Sequence, residues 1–89
     1  MTAKDKIEEI LQKSFHPELL EVEDESRDHA GHSEALKSEG GHFNVQIISS
    51  YFAGLRLLER HRMIYEALKP LNRSIHALSI TALAPGEKK

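Results

Sequence analysis

The sequence predicts an α+β domain in the order α-β-β-α-β, with a three-stranded mixed sheet and the helices packed on one of its faces. Three observations carry this. A capped, amphipathic helical segment opens the chain, three short segments have the period-two pattern of strands, and one helix-length segment separates the last two of those strands. Two adjacent strands, a helical crossover and a third strand give a sheet with one antiparallel and one parallel pairing.

The first helix runs to Phe15. Thr2 and Asp5 form the pattern of a capping box, and Ile7, Ile10, Leu11, Ser14 and Phe15 follow the i, i+3, i+4 spacing of one stripe. His16-Pro17 ends it, because proline disfavours the helical conformation in the residue before it. In residues 19–24 Leu20 and Val22 alternate with acids, as in a half-buried strand.

Residues 25–41, ESRDHAGHSEALKSEGG, have neither periodicity. This long loop of 17 residues exceeds the usual ~4–6 of compact domains, and loops of such length are commonly functional or disordered. His42 to Ser50 reads as the second strand, with Phe43, Val45 and Ile47 on one face. After Tyr51-Phe52-Ala53-Gly54 a second helix is predicted from about Leu55 to Leu68, its stripe being Leu57, Leu58, His61, Ile64, Tyr65 and Leu68. Pro70 lies just beyond. Residues 75–83 make the last strand, with His76, Leu78, Ile80 and Ala82 expected on one face, and the tail from about Pro85 is expected to be loose.

The chain has 89 residues, which fits a single domain with a small core and little room for an enclosed active site. There are six histidines and no cysteine, so disulfides are excluded and a reducing compartment is expected. No segment reads as a signal peptide or membrane span. Charge is uneven. Residues 1–53 hold five basic and eleven acidic side chains, whereas residues 54–73 hold five basic (Arg56, Arg60, Arg62, Lys69, Arg73) and two acidic. Such a basic stretch is usually a solvated helix face, and a nucleic-acid footprint is the alternative.

Catalytic templates are missing. The chain has no cysteine nucleophile and no Gly-x-Ser-x-Gly elbow, and its glycines fit neither the P-loop nor the dinucleotide-binding pattern. Glu25, Asp28, Glu34 and Glu39 could serve as bases, but nothing pairs them, so a non-enzymatic binding protein is expected. Imidazole ligates zinc, iron, copper and nickel. His29 and His32 stand as His-x-x-His in the loop, a pattern equally compatible with solvated side chains. His76 opens the last strand, where a semi-exposed imidazole could meet a metal beside a loop ligand; a hydrogen-bonded core histidine is the plainer reading. His42 and His61 are read as structural, and His16 as incidental.

Taken together, EVEDESRDHAGH, GHFNVQIISSYFAGLRLLERHRMIYEALK and SIHALSITALAP resemble the BolA family, over most of the chain to about Pro85. The densest parts are Asp24-Glu25-Ser26, His42-Phe43, Phe52-x-Gly54, Arg60-His61-Arg62 with Tyr65, and Ile75-His76-Ala77-Leu78. The resemblance implies a class-II KH-like fold, α-β-β-α-α-β, with a short third helix at or beside Leu71-Asn72-Arg73. It also implies a monothiol glutaredoxin as partner, in a heterodimer that bridges a [2Fe-2S] cluster with glutathione. The family's ligands are a C-terminal histidine, matching His76, and a loop histidine or cysteine, here His29 or His32. The implied role is iron–sulfur cluster trafficking or iron and redox regulation, in a chain that alone is a monomer or weak dimer. Bacterial cytoplasm is the expected location, with the mitochondrial matrix as the other.

The missing thiol is compatible with this, since one iron of a [2Fe-2S] centre can take two histidines while thiolates hold the other. Ligation needs neutral imidazole, so cluster sharing is expected to weaken as pH falls toward the ordinary histidine range, ~6.5. Two other readings remain. Some BolA-like proteins are described as transcription regulators, which would employ Arg56, Arg60 and Arg62 on DNA; the chain has no Gly-x-x-Gly loop of the kind KH domains use on nucleotides. In the other, His29, His32 and His76 bind zinc or another divalent ion without a partner.

Overall fold

The computed structural model describes residues 2–25 and 41–87. Helix α1 spans Ala3–Phe15 and opens with the expected capping box: Thr2 Oγ1 accepts from the Asp5 N–H and Asp5 Oδ2 accepts from the Thr2 N–H, both at 3.1 Å. Hydrogen bonding to Thr2, first through its backbone N–H and then through its side chain, holds the Asp5 carboxyl below its ordinary value. Ile7, Leu11 and Phe15 face the core. The helix ends at His16, whose left-handed backbone (φ 44°) lets its N–H reach the Gln12 carbonyl before Pro17 leads the chain away.

Strand β1 (Leu19–Asp24) pairs antiparallel with β2 (Gly41–Ile48), and β2 pairs parallel with β3 (Ile75–Leu83). The order β1-β2-β3 puts β2 at the centre of the mixed sheet. Between β2 and β3 lie a 3-10 turn (Ser50–Phe52), helix α2 (Leu57–Ala67) and a second 3-10 turn (Lys69–Leu71). The short third helix expected near residues 71–73 is this single turn, with Pro70 as its second residue.

Phe43, Val45 and Ile47 point from β2 into the core, with Ile7, Leu11 and Phe15 of α1 and Ile64 of α2, while Phe52 closes one end. Buried Ser49 ties the layers together: its hydroxyl donates to the Phe15 carbonyl (2.6 Å), an otherwise orphaned group at the helix end, and accepts from the Tyr51 N–H (3.2 Å). Gly54 (φ 77°) supplies the turn into α2 that a side chain would strain.

Three expectations are corrected. In α2 the predicted stripe is only partly buried: Ile64 and, just past the helix end, Leu68 face the core together with Arg60, whereas Leu57, Leu58 and Tyr65 are 63%, 62% and 51% exposed. At about 100° per residue Arg60, Ile64 and Leu68 share one side of the helix and Leu58 and Tyr65 lie on another, while Leu57 is in line with Ile64 but sits in the helix's first turn. In β3, Leu78, Ile80 and Ala82 lie opposite Phe43, Val45 and Ile47 as expected, but His76 leaves their face. Gly41 pairs with Ile75 and His42 with Ala77, so His76 is an extra residue in β3 that breaks the alternation. Finally, the tail is fixed as far as Glu87, whose N–H donates to the Ala84 carbonyl (3.0 Å) and whose carboxylate accepts from the Ala84 N–H (2.9 Å).

Candidate functional site

The register break gathers two histidines at one corner of the sheet. His42 precedes buried Phe43 in a regular strand and therefore projects from the face opposite the helices. His76, released from alternation by the extra residue, is exposed and lays its ring on that of His42, with centroids 5.2 Å apart and planes 26° from parallel. His42 was expected to be merely structural; a parallel register with one extra residue is not written in either strand's own pattern.

His29 and His32 lie outside the described residues. The ends of the segment that carries them are placed, and they meet at the same corner. The Glu25 N–H donates to the His42 carbonyl at 2.7 Å, and the Gly41 N–H to the Ser74 carbonyl at 3.1 Å. His29 is four residues beyond Glu25, within ~14 Å of it even for fully extended chain. Among the described residues no group of three or more His, Cys, Asp or Glu side chains converges as a metal site. Described side chains thus offer a corner with two imidazoles and no closed cage, and a cluster held here needs ligands from elsewhere. The exposed His76 imidazole is a nitrogen donor of a type that a [2Fe-2S] iron can take, and the chain has no thiolate to offer beside it.

A groove of about 570 Å³ borders His76 between α2, the second 3-10 turn and the start of β3. Leu68, Ile75 and Leu78 give it an apolar floor, with Arg62, Lys69 and Asn72 at its rim. Tyr65 spans it, its hydroxyl donating to the Leu78 carbonyl at 3.3 Å. Arg62 is exposed, while Lys69 is paired with Glu66 at 3.4 Å.

The three arginines considered for nucleic acid separate in the structure. Arg56 is exposed at the start of α2, and its own N–H donates to Glu59 Oε1 (2.9 Å). Arg60 is 6% exposed and fully engaged: Nε donates to the Leu55 carbonyl (2.9 Å), Nη1 to the Ala82 carbonyl (3.0 Å), and Nη1 and Nη2 bind the two oxygens of Glu87 at 2.6 and 2.9 Å. This fork-to-fork pair raises the Arg60 pKa and, with the Ala84 N–H, holds Glu87 at about 2. Arg60 therefore cannot present its charge to a phosphate, and only Arg56 and Arg62 of the trio remain exposed. His61 is half-buried beside Leu55, Leu57 and Ile80 in a second groove, as a core-edge histidine should be. His16 caps a helix end with its ring 6.1 Å from that of Tyr51.

The profile of the BolA-like protein family matches residues 11–87 of this sequence. The chain belongs to the BolA family. An uncharacterized protein in the cobS 5′ region of a Sinorhizobium species is 45% identical over 89 residues, covering 98% of this chain and 96% of that protein. The Escherichia coli protein named DNA-binding transcriptional regulator BolA is 43% identical over 81 residues, 90% of this chain and 73% of that one. Among solved structures, the BolA domain of SufE1 from Arabidopsis thaliana superposes with a TM-score of 0.83 at 44% identity, covering 99% of this chain and 98% of that domain. This BolA chain spans only 24% of the full-length Arabidopsis SufE-like protein 1, so the unit also occurs inside a longer polypeptide. No described helix of this BolA protein is long and apolar enough to cross a membrane.

Proposed function

We propose that this BolA protein is a non-enzymatic partner of a monothiol glutaredoxin, with which it shares a bridged [2Fe-2S] cluster, in iron–sulfur cluster trafficking or iron and redox regulation. The observation that carries the reading is the exposed His76 imidazole, fixed at a strand irregularity against His42, in a chain without any thiol. His76 would be one nitrogen ligand. His29 or His32 would be the other, since their segment begins and ends beside His42 and His76. The cysteine of the glutaredoxin and the thiol of glutathione would complete the other iron, which is a pairing of donors that [2Fe-2S] centres accept. A reducing compartment such as the bacterial cytoplasm suits this chemistry.

The residues of this chain supply placement. The parallel β2–β3 ladder fixes the backbone at residues 42, 75 and 77, and the neighbouring apolar groove with Tyr65 gives an incoming surface something to rest on. Protonated imidazole does not ligate, so acidification opposes sharing. Anaerobic reconstitution with a monothiol glutaredoxin, glutathione, iron and sulfide tests the proposal. A one-to-one heterodimer with visible circular dichroism distinct from that of the glutaredoxin homodimer is expected; a mixture containing only glutaredoxin homodimer and free BolA chain would refute it.

DNA binding is the second reading, favoured by the names of the Escherichia coli and Haemophilus influenzae relatives and by exposed Arg56 and Arg62. Against it stand the burial of Arg60 and the acids Glu21 and Glu23 on β1. A salt titration of DNA affinity separates the two, because phosphate contacts give a steep loss of affinity with salt. The stand-alone divalent-ion reading rests on His29 and His32 together with His76, and zinc titration of the isolated chain tests it.

A further inference from the structure

We infer that His42 is a positioning residue for His76: its ring is the platform that holds the His76 imidazole in one orientation for ligation. The inference rests on the cluster-sharing proposal and adds a residue to it. An exposed histidine at an irregular strand position ordinarily samples several rotamers. Here it has a wall. His42 is half-buried, follows Gly41 and precedes fully packed Phe43, and its carbonyl is bound by the Glu25 N–H at 2.7 Å. Its backbone is thus held from both neighbouring strands. The extra residue in β3 brings the His76 ring to the same side, at 5.2 Å and 26°, within the range of favourable offset stacking.

The geometry favours positioning over ligation by both rings. The lone pair of an imidazole nitrogen lies in the ring plane, so a stack covers the faces and leaves the ligating edge uncovered. Two near-parallel rings direct their in-plane lone pairs side by side, not toward a single ion. His42 therefore orders its neighbour without competing for the metal. Any flat ring of similar size at residue 42 should do the same, which separates the role from that of a ligand nitrogen.

Two variants test this, His42→Phe and His42→Ala, with the uncomplexed chain and the reconstituted heterodimer read separately. In the uncomplexed chain, side-chain NMR should show the His76 ring protons shifted by the neighbouring ring and motionally restricted in the native protein and in His42→Phe, and released in His42→Ala. In the heterodimer, His42→Phe should keep the native visible circular dichroism. His42→Ala should lose cluster to a chelator ~3–10-fold faster, the factor that one aromatic stack supplies. His42→Phe failing as badly as His42→Ala would show that the nitrogen itself is needed and overturn the inference. So would an unchanged His42→Ala. If the native chain forms no shared cluster at all, the functional reading fails instead, and the NMR comparison still decides whether His42 orders His76.

Discussion

The two ends of β3 are built from similar materials and put them to opposite use. At the beginning an exposed imidazole rests on a second imidazole, outside the hydrogen-bonded frame. At the far end a guanidinium is buried against the strand, bound to the Ala82 carbonyl and locked to Glu87 from the tail. At the far end the buried Arg60 charge is neutralised by a carboxylate at the surface, and the pair closes the fold. The near end leaves the His76 ring exposed. The difference teaches that chemical reactivity in a small domain depends less on residue type than on whether the backbone nearby is regular and whether every polar atom already has a partner.

The largest expected effect tests the near end. His76→Ala should abolish the shared cluster while leaving stability within about ±0.5 kcal/mol, as for an exposed side chain, and thermal melting with cluster absorbance measures both. A variant that keeps the cluster, or that unfolds, would erase the distinction between the ends. Next comes the far end. Arg60→Ala removes four hydrogen bonds to carbonyls and carboxylate and should cost about 2 kcal/mol, roughly 10 °C in Tm, with the native cluster spectrum retained in the folded fraction.

A smaller effect sharpens the same contrast. Glu87 is held at about 2 against an ordinary 4.5, so its folded form favours the carboxylate. The clamp's contribution is whole above about pH 4.5 and is lost as pH falls from there toward 2. Denaturant melts at a series of acid pH values should therefore show a shallower stability loss for Glu87→Gln than for the native chain. The smallest effect is expected from Arg62→Ala: unchanged stability within about ±0.5 kcal/mol and unchanged cluster spectra. Under the DNA reading, that substitution would instead weaken binding across sequences and lower the salt slope by about 1.

Much of this architecture is legible in the sequence because local rules and tertiary contacts agree. The Thr2–Asp5 box, the His16-Pro17 stop, the alternation around Phe43, Val45 and Ile47 and the limits of β3 each follow from a short window of residues. Where they fail, the cause is a partner far along the chain. Arg60 looks like a solvent-facing cation until Glu87, 27 residues on, folds back to neutralise it, and that return also fixes a tail whose composition suggests freedom. Leu57, Leu58 and Tyr65 suggest a core stripe, but Leu58 and Tyr65 lie off the side of α2 that packs, and Leu57 stands at the helix's exposed start. His42 and His76 each read plainly as strand residues; their stacking depends on the extra residue at 76, a property of the pairing alone. The candidate site was thus half visible, with His76 nameable from the sequence and its companion not.

Pulsed electron paramagnetic resonance on the reduced heterodimer, with histidine nitrogens of this chain alone labelled with ¹⁵N, tests the central claim most directly. The account predicts a strongly coupled, labelled imidazole nitrogen on the cluster, and loss of the His76 contribution to that coupling in His76→Ala. A cluster that forms with no coupling to any nitrogen of this chain would contradict it.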